Sequence, residues 1–187
     1  TLHQTDFGRF TLAQSLANIA LIFVLIGTPR ALDRFIPIFR SQGSSGKIRG
    51  LIEFVLKLAL VNSIWIGAAV FWGADFLASI LFSDPDASEI FRIVVWAVPL
   101  LGLIMIVNYT FIGYQQLRIP VYLKQILEPT LKIALTLLLA FLGLGLKTWT
   151  WFYVTALLIT SGAGVFYLWK DILGPLRSSP KVDLNIR

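Results

Sequence analysis

Five apolar stretches, each long enough to cross a lipid bilayer, dominate this 187-residue sequence. A hydrocarbon core about 30 Å thick takes about 20 apolar residues at 1.5 Å rise each. The stretches fall at about residues 10–27, 51–72, 90–112, 121–142 and 149–169. Inside hydrocarbon every backbone N–H and C=O has to find a partner within the chain, so stretches of this length are helices. The expected fold class is all-α: a polytopic transmembrane helix bundle over residues 1–170, with 171–187 a polar tail or linker. Composition agrees, since 14% of the residues are charged, against about 25% in a soluble domain.

The same composition removes whole classes of chemistry. There is no cysteine, so disulfides, thiolate metal sites and cysteine nucleophiles are excluded. The single histidine, His3, cannot form a histidine metal cluster by itself. No P-loop, dinucleotide fingerprint or serine–histidine arrangement is present. The expectation is a protein that is not an enzyme, with no catalytic residues, no metal and no cofactor. The net charge of +6 does not point to nucleic acid, because the basic excess lies in loops on one side of the expected membrane. The sequence starts at Thr1 and turns apolar within about ten residues, without a signal-peptide pattern. The simplest expectation is a piece of a longer membrane protein.

Loop charges set the expected orientation. The connection after the first span carries Arg30, Arg34, Arg40, Lys47 and Arg49 against Asp33, and the next carries Asp75, Asp84, Asp86 and Glu89 with no base. The third has Arg118 and Lys124, the fourth only Lys147, and the tail has Lys170, Arg177, Lys181 and Arg187. Basic loops stay in the cytoplasm, so 40–49, 113–120 and 170–187 are expected inside, and 1–9, 73–89 and 143–148 outside. Trp72, Trp149 and Trp151 then fall at the outer interface, and Tyr114, Tyr122 and Trp169 at the inner one. Thr28-Pro29 breaks the first span, with threonine a possible cap and proline at the first helical position, and a second helical piece follows to Phe39. Residues 76–81 make an apolar stripe too short to cross, expected to lie in the interface. Pro99 is expected to loosen the third span.

Charges within spans are the candidates for function, because each costs roughly 2.5–3.5 kcal/mol at a helix centre. Lys124, Glu128 and Lys132 recur every four residues and share one face of the fourth span. Lys132 lies twelve residues past Pro120, roughly 18 Å along a helix, which puts it near mid-depth. Pro129 frees the carbonyl of Gln125 beside it. Two readings stand: a wet, cationic cavity wall, or a Glu128–Lys132 pair that staples the bundle. Glu53 and Lys57 make a second pair at the inner end of the second span, where both can snorkel. Asn62, Asn18, Asn108 and Tyr109 are polar groups within spans, explained by interhelical hydrogen bonds as well as by substrate contact. Arg30 and Arg34 follow the break at the inner surface and could meet a phosphate, or express only the positive-inside bias. Asp84-Pro85-Asp86 is similar to the metal-binding pair of nucleotide-sugar transferases, but its expected outer position and the helix-start reading of Asp86 and Glu89 set that aside.

Phe7-Gly8-Arg9-Phe10-Thr11-Leu12-Ala13, then Gly27-Thr28-Pro29-Arg30-Ala31-Leu32-Asp33-Arg34-Phe35-Ile36, resembles the second helix of the polysaccharide and O-antigen flippases. Ile112-Gly113-Tyr114-Gln115-Gln116-Leu117-Arg118, with Tyr122 and Leu127-Glu128-Pro129, resembles their passage from the fourth to the fifth helix. These flippases belong to the superfamily that also holds lipid II flippases and multidrug extruders. The resemblance implies two six-helix lobes around a central cavity, worked by alternating access. This chain would be a partial N-terminal lobe, helices two to six, without the first helix and the second lobe. It also implies a cationic cavity for a lipid-linked pyrophosphate, which Lys132 matches in type, with Arg30, Arg34 and Lys57 as further candidates. The implied partners are a lipid-linked glycan pyrophosphate, membrane lipids and the second lobe of the same protein, in the cytoplasmic membrane. The alternatives are a cation-coupled extruder of amphipathic molecules, a membrane-embedded glycan transferase and a structural membrane subunit.

Overall fold

A computed structural model describes residues 4–82, 87–142 and 145–176. Among them the chain is helical throughout, broken only by turns, as an all-α membrane bundle requires. The helices are α1 (Gln4–Leu25), α2 (Thr28–Ser41), α3 (Ser45–Trp72), α4 (Ala74–Phe82), α5 (Ala87–Val94), α6 (Ala97–Gly113), α7 (Arg118–Val121), α8 (Glu128–Leu142), α9 (Leu146–Leu168) and α10 (Gly174–Leu176). Two π-helical turns, Tyr122–Leu127 and Trp169–Leu173, join α7 to α8 and α9 to α10.

Three helical runs are long and apolar enough to cross a bilayer: Ser45–Trp72, Ser88–Gly113 and Lys147–Leu173. A fourth crossing is possible if the bent pair Phe10–Leu25 and Thr28–Ser41, angled at 47°, counts as one span. The remaining expected span, 121–142, is helical but passes through a π turn and carries Glu128 and Lys132. The short stripe 76–81 sits in the nine-residue α4.

The breaks follow from local chemistry. Ile26 and Gly27 adopt positive φ, +42° and +71°, and turn the chain between α1 and α2. A helix end leaves its last carbonyls without internal partners. Here Ile26 N–H donates to Ile22 O, Asn62 Nδ2 to Val24 O at 3.0 Å and Thr28 Oγ1 to Leu25 O at 2.5 Å. Thr28 therefore closes the end of α1 instead of capping α2, whose N-cap is Gly27, and Pro29 occupies the second helical position. Both π turns precede a proline. Proline donates no N–H and its ring clashes with the carbonyl four residues back, namely Gln125 for Pro129 and Asp171 for Pro175. Widening the helix there relieves the clash, with Glu128 and Gly174 donating five residues back to Leu123 and Trp169. Pro99 acts similarly, as the turn at 95–96 includes its fourth-preceding residue, Val95.

α6 is the central element, packed against α1, α2, α3 and α9. Small residues let backbones approach within a membrane bundle. At Gly113 an added Cβ would stand 2.9 Å from the carbonyl of Leu32 and 3.0 Å from Ile36 Cβ, so glycine is needed where α2 crosses α6. The helix after Lys170 does not dissolve into a tail at once. It continues to Leu176, and Ile172 is buried in the main core.

The loops gather at two ends. Arg40 donates to Tyr114 O at 3.0 Å and lies over its ring, joining 40–49 to 113–120. Glu89 and Lys147 form an ion pair, joining 73–89 to 143–148. Two of the three segments that the charge pattern assigns to each side are therefore in contact with one another. Asp84 and Asp86 lie outside the described residues.

Candidate functional site

Of the seven residues singled out from the sequence, the structure brings two together. Lys132 Nζ donates to Glu128 Oε1 at 2.5 Å, one turn apart on α8, and both side chains are largely sheltered. The ammonium also sits 4.8 Å from the centre of the Tyr153 ring on α9. Tyr153 Oη accepts from Gln14 Nε2 of α1 at 3.4 Å. A carboxylate and the negative face of an aromatic ring thus hold one cation between three helices.

Lys132, Tyr153 and Gln14 border a small cavity of about 140 Å³. Phe10 and Gln14 of α1, Lys132 and Thr136 of α8, and Trp149 and Tyr153 of α9 line it. Trp149 Nε1 donates to Thr136 Oγ1 at 3.2 Å, and Phe10 meets Trp149 and Tyr153 edge-on at 3.9 and 5.3 Å between ring centres. The wall is aromatic with a few polar groups.

Lys132 is level with Tyr153, one turn below Trp149, or about 6 Å along the helix. The stretch from Pro120 to Lys132 is not an unbroken α-helix, because a π turn intervenes.

The other candidates lie apart from this cavity. Glu53 accepts from Arg49 Nε at 2.7 Å, one turn earlier than the spacing with Lys57 suggested, and Lys57 is exposed. Asn62 closes the end of α1. Asn108 is buried in α6, and its side-chain oxygen has no protein partner among the described residues. Arg30 and Arg34 are exposed on α2, with Arg34 over the Phe35 ring at 5.8 Å. Among the described residues no group of acidic or histidine side chains is placed to hold a metal.

Sequence reading missed Gln14, Tyr153 and Thr136. The available signal was two pairs spaced by four, Phe10 with Gln14 and Trp149 with Tyr153, each placing a polar group beneath an aromatic ring on one helix face. That these faces meet Lys132 is a tertiary fact.

The profile of the family described as polysaccharide biosynthesis protein matches residues 1–183. No curated protein and no solved structure matches the chain. Helices of membrane-crossing length and a match over nearly the whole sequence agree, and the chain belongs to the polysaccharide biosynthesis protein family, multi-pass membrane proteins of the flippase type.

Proposed function

We propose that this chain helps carry a lipid-linked oligosaccharide across the cytoplasmic membrane, with Lys132 meeting an anionic group of the headgroup during passage. The observation that carries the reading is the sheltered ammonium of Lys132, held by Glu128 and Tyr153 at the wall of an aromatic cavity. Translocation of this kind makes and breaks no covalent bond. It needs a sheltered place for a charged headgroup while the lipid tail stays in hydrocarbon. A cation within the bundle favours an anionic cargo over a cationic drug. A second lobe of the same protein would close the other side of the path. Arg30 and Arg34, exposed on α2, suit first contact with a pyrophosphate at the inner surface.

The close Glu128 pair also favours a second reading, a structural staple. Glycan export, normalised to protein in the membrane, separates the two. Under the proposal Lys132→Ala cuts export at least tenfold with insertion intact, Lys132→Arg keeps part of it, and Glu128→Gln is milder than Lys132→Ala. A staple gives another pattern: each single change leaves an unpaired intramembrane group and lowers protein level, while Glu128→Gln/Lys132→Met restores both level and export. Full export by that neutral double mutant would refute substrate contact.

A further inference from the structure

An apolar groove on a different face of the bundle ends in a cation. It encloses about 430 Å³ between α3 and the α5–α6 run. Its α3 side reaches from Leu60 to Phe71 and Trp72, and its other side is Val95, Trp96 and Pro99. Leu60, Ile64, Phe71, Trp72 and Trp96 are exposed, and both walls belong to runs of membrane-crossing length. At the end where α3 stops, Arg92 lies with its guanidinium carbon 5.5 Å from the centre of the Phe71 ring, and Nη2 meets Asp75 Oδ2 at 2.9 Å. Arg92 stands one turn before Trp96 on the groove wall, and it remains nearly half exposed.

We infer that this groove holds one acyl chain of an anionic bilayer phospholipid, whose phosphate meets Arg92. Length and charge identify the occupant. From Leu60 to Trp72 is twelve residues, about 18 Å of helix, close to the ~15 Å depth of one leaflet. A chain that begins at a phosphate on Arg92 and runs down the groove ends near mid-membrane, as a phospholipid acyl chain does and a much longer polyprenyl chain does not. The guanidinium offers paired donors to a phosphate. Asp75 steadies Arg92 over Phe71 and at the same time competes with the phosphate for it.

The two charges therefore give opposite signs in a binding test. A variant that keeps only Trp96, with Trp65, Trp72, Trp149, Trp151 and Trp169 changed to Phe, reports on the groove through quenching by lipids brominated on the acyl chain. The full chain is used in mixed micelles, and unchanged circular dichroism and thermal midpoint are required of each variant. Brominated phosphatidylglycerol should quench Trp96 at about fivefold lower mole fraction than brominated phosphatidylcholine, the effect of about one basic group at a membrane surface. Arg92→Gln should erase that preference, and Asp75→Asn should widen it. A merely structural ion pair would make both changes act alike. Equal quenching by the two phospholipids in the parent, stronger quenching by a brominated polyprenyl phosphate, or no quenching because protein covers the groove would each overturn the inference. Ala68→Phe, which fills the groove between its walls, should abolish quenching while Arg92 and Asp75 remain.

Discussion

Single polar residues in this bundle act by closing the gaps that helix breaks open. Asn62 is the clearest case, because its amide reaches across from α3 to the carbonyl of Val24, left free by the turn at Ile26-Gly27. Asn62→Leu should lower stability by about 0.6 kcal/mol and by no more than about 1.7 kcal/mol, the average and the maximum for interhelical hydrogen bonds in membranes. Unfolding in mixed micelles with a denaturing detergent measures it, and no change would mean that Val24 O is satisfied otherwise. Lys132 belongs to the same scale but answers to more partners, namely Glu128, Tyr153 and, through Tyr153, Gln14. The pairing with Glu128 was legible, because a spacing of four fixes it within one helix. Tyr153 and Gln14 were not, since they arrive from α9 and α1.

At the scale of elements, glycine and proline set where helices bend and how closely they pass. The three glycines of α6 and α9 that face neighbouring helices differ in what a methyl group would meet. At Gly113 it would press on backbone, the carbonyl of Leu32 at 2.9 Å, and at Gly164 on side-chain methyls of Val107 and Leu123 at 3.4–3.6 Å. At Gly102 its nearest atoms are 3.8 Å away. Gly113→Ala should therefore cost about 1–3 kcal/mol by overpacking. Gly164→Ala should cost less, and Gly102→Ala should be neutral or stabilising by up to about 1 kcal/mol through helix propensity. Thermal midpoints of the three variants in one detergent check the ranking; Gly102→Ala as the worst would show that α1 and α6 lie closer than described. The prolines were visible in the sequence as sites of weakness. Only the backbone showed that two of them are met by π turns, the first leading straight into Glu128.

For the molecule as a whole, the loops divide between two ends, with Arg40 beside Tyr114 at one and Glu89 paired with Lys147 at the other. The absence of native cysteine makes single-cysteine labelling clean. Cysteines placed at positions 89 and 147 should react from the same face of a sealed membrane and a cysteine at 42 from the opposite face, with 89 and 147 outward by the charge bias. Labelling of 89 and 42 from one face would overturn this arrangement of ends. All-helical architecture was legible because hydrocarbon leaves a backbone of this apolar length no other solution. The fourth expected span was less so, as its charges and π turn blur the pattern that makes a helix read as a crossing.

By itself the sequence determined what hydropathy and local spacing determine: helices of membrane-crossing length, the break at Gly27, the short α4, and the Glu128–Lys132 pair. Each follows from interactions within a few residues or from the solvent that a segment demands. Only the tertiary structure decided which helix faces meet. It gave Lys132 to an aromatic cavity between α1, α8 and α9, gave Asn62 the end of α1 and kept Ile172 inside the core. In a bundle whose surface and interior are both apolar, hydrophobicity does not say which side of a helix points inward. That choice rests on small-residue contacts and a handful of polar partners distant in sequence.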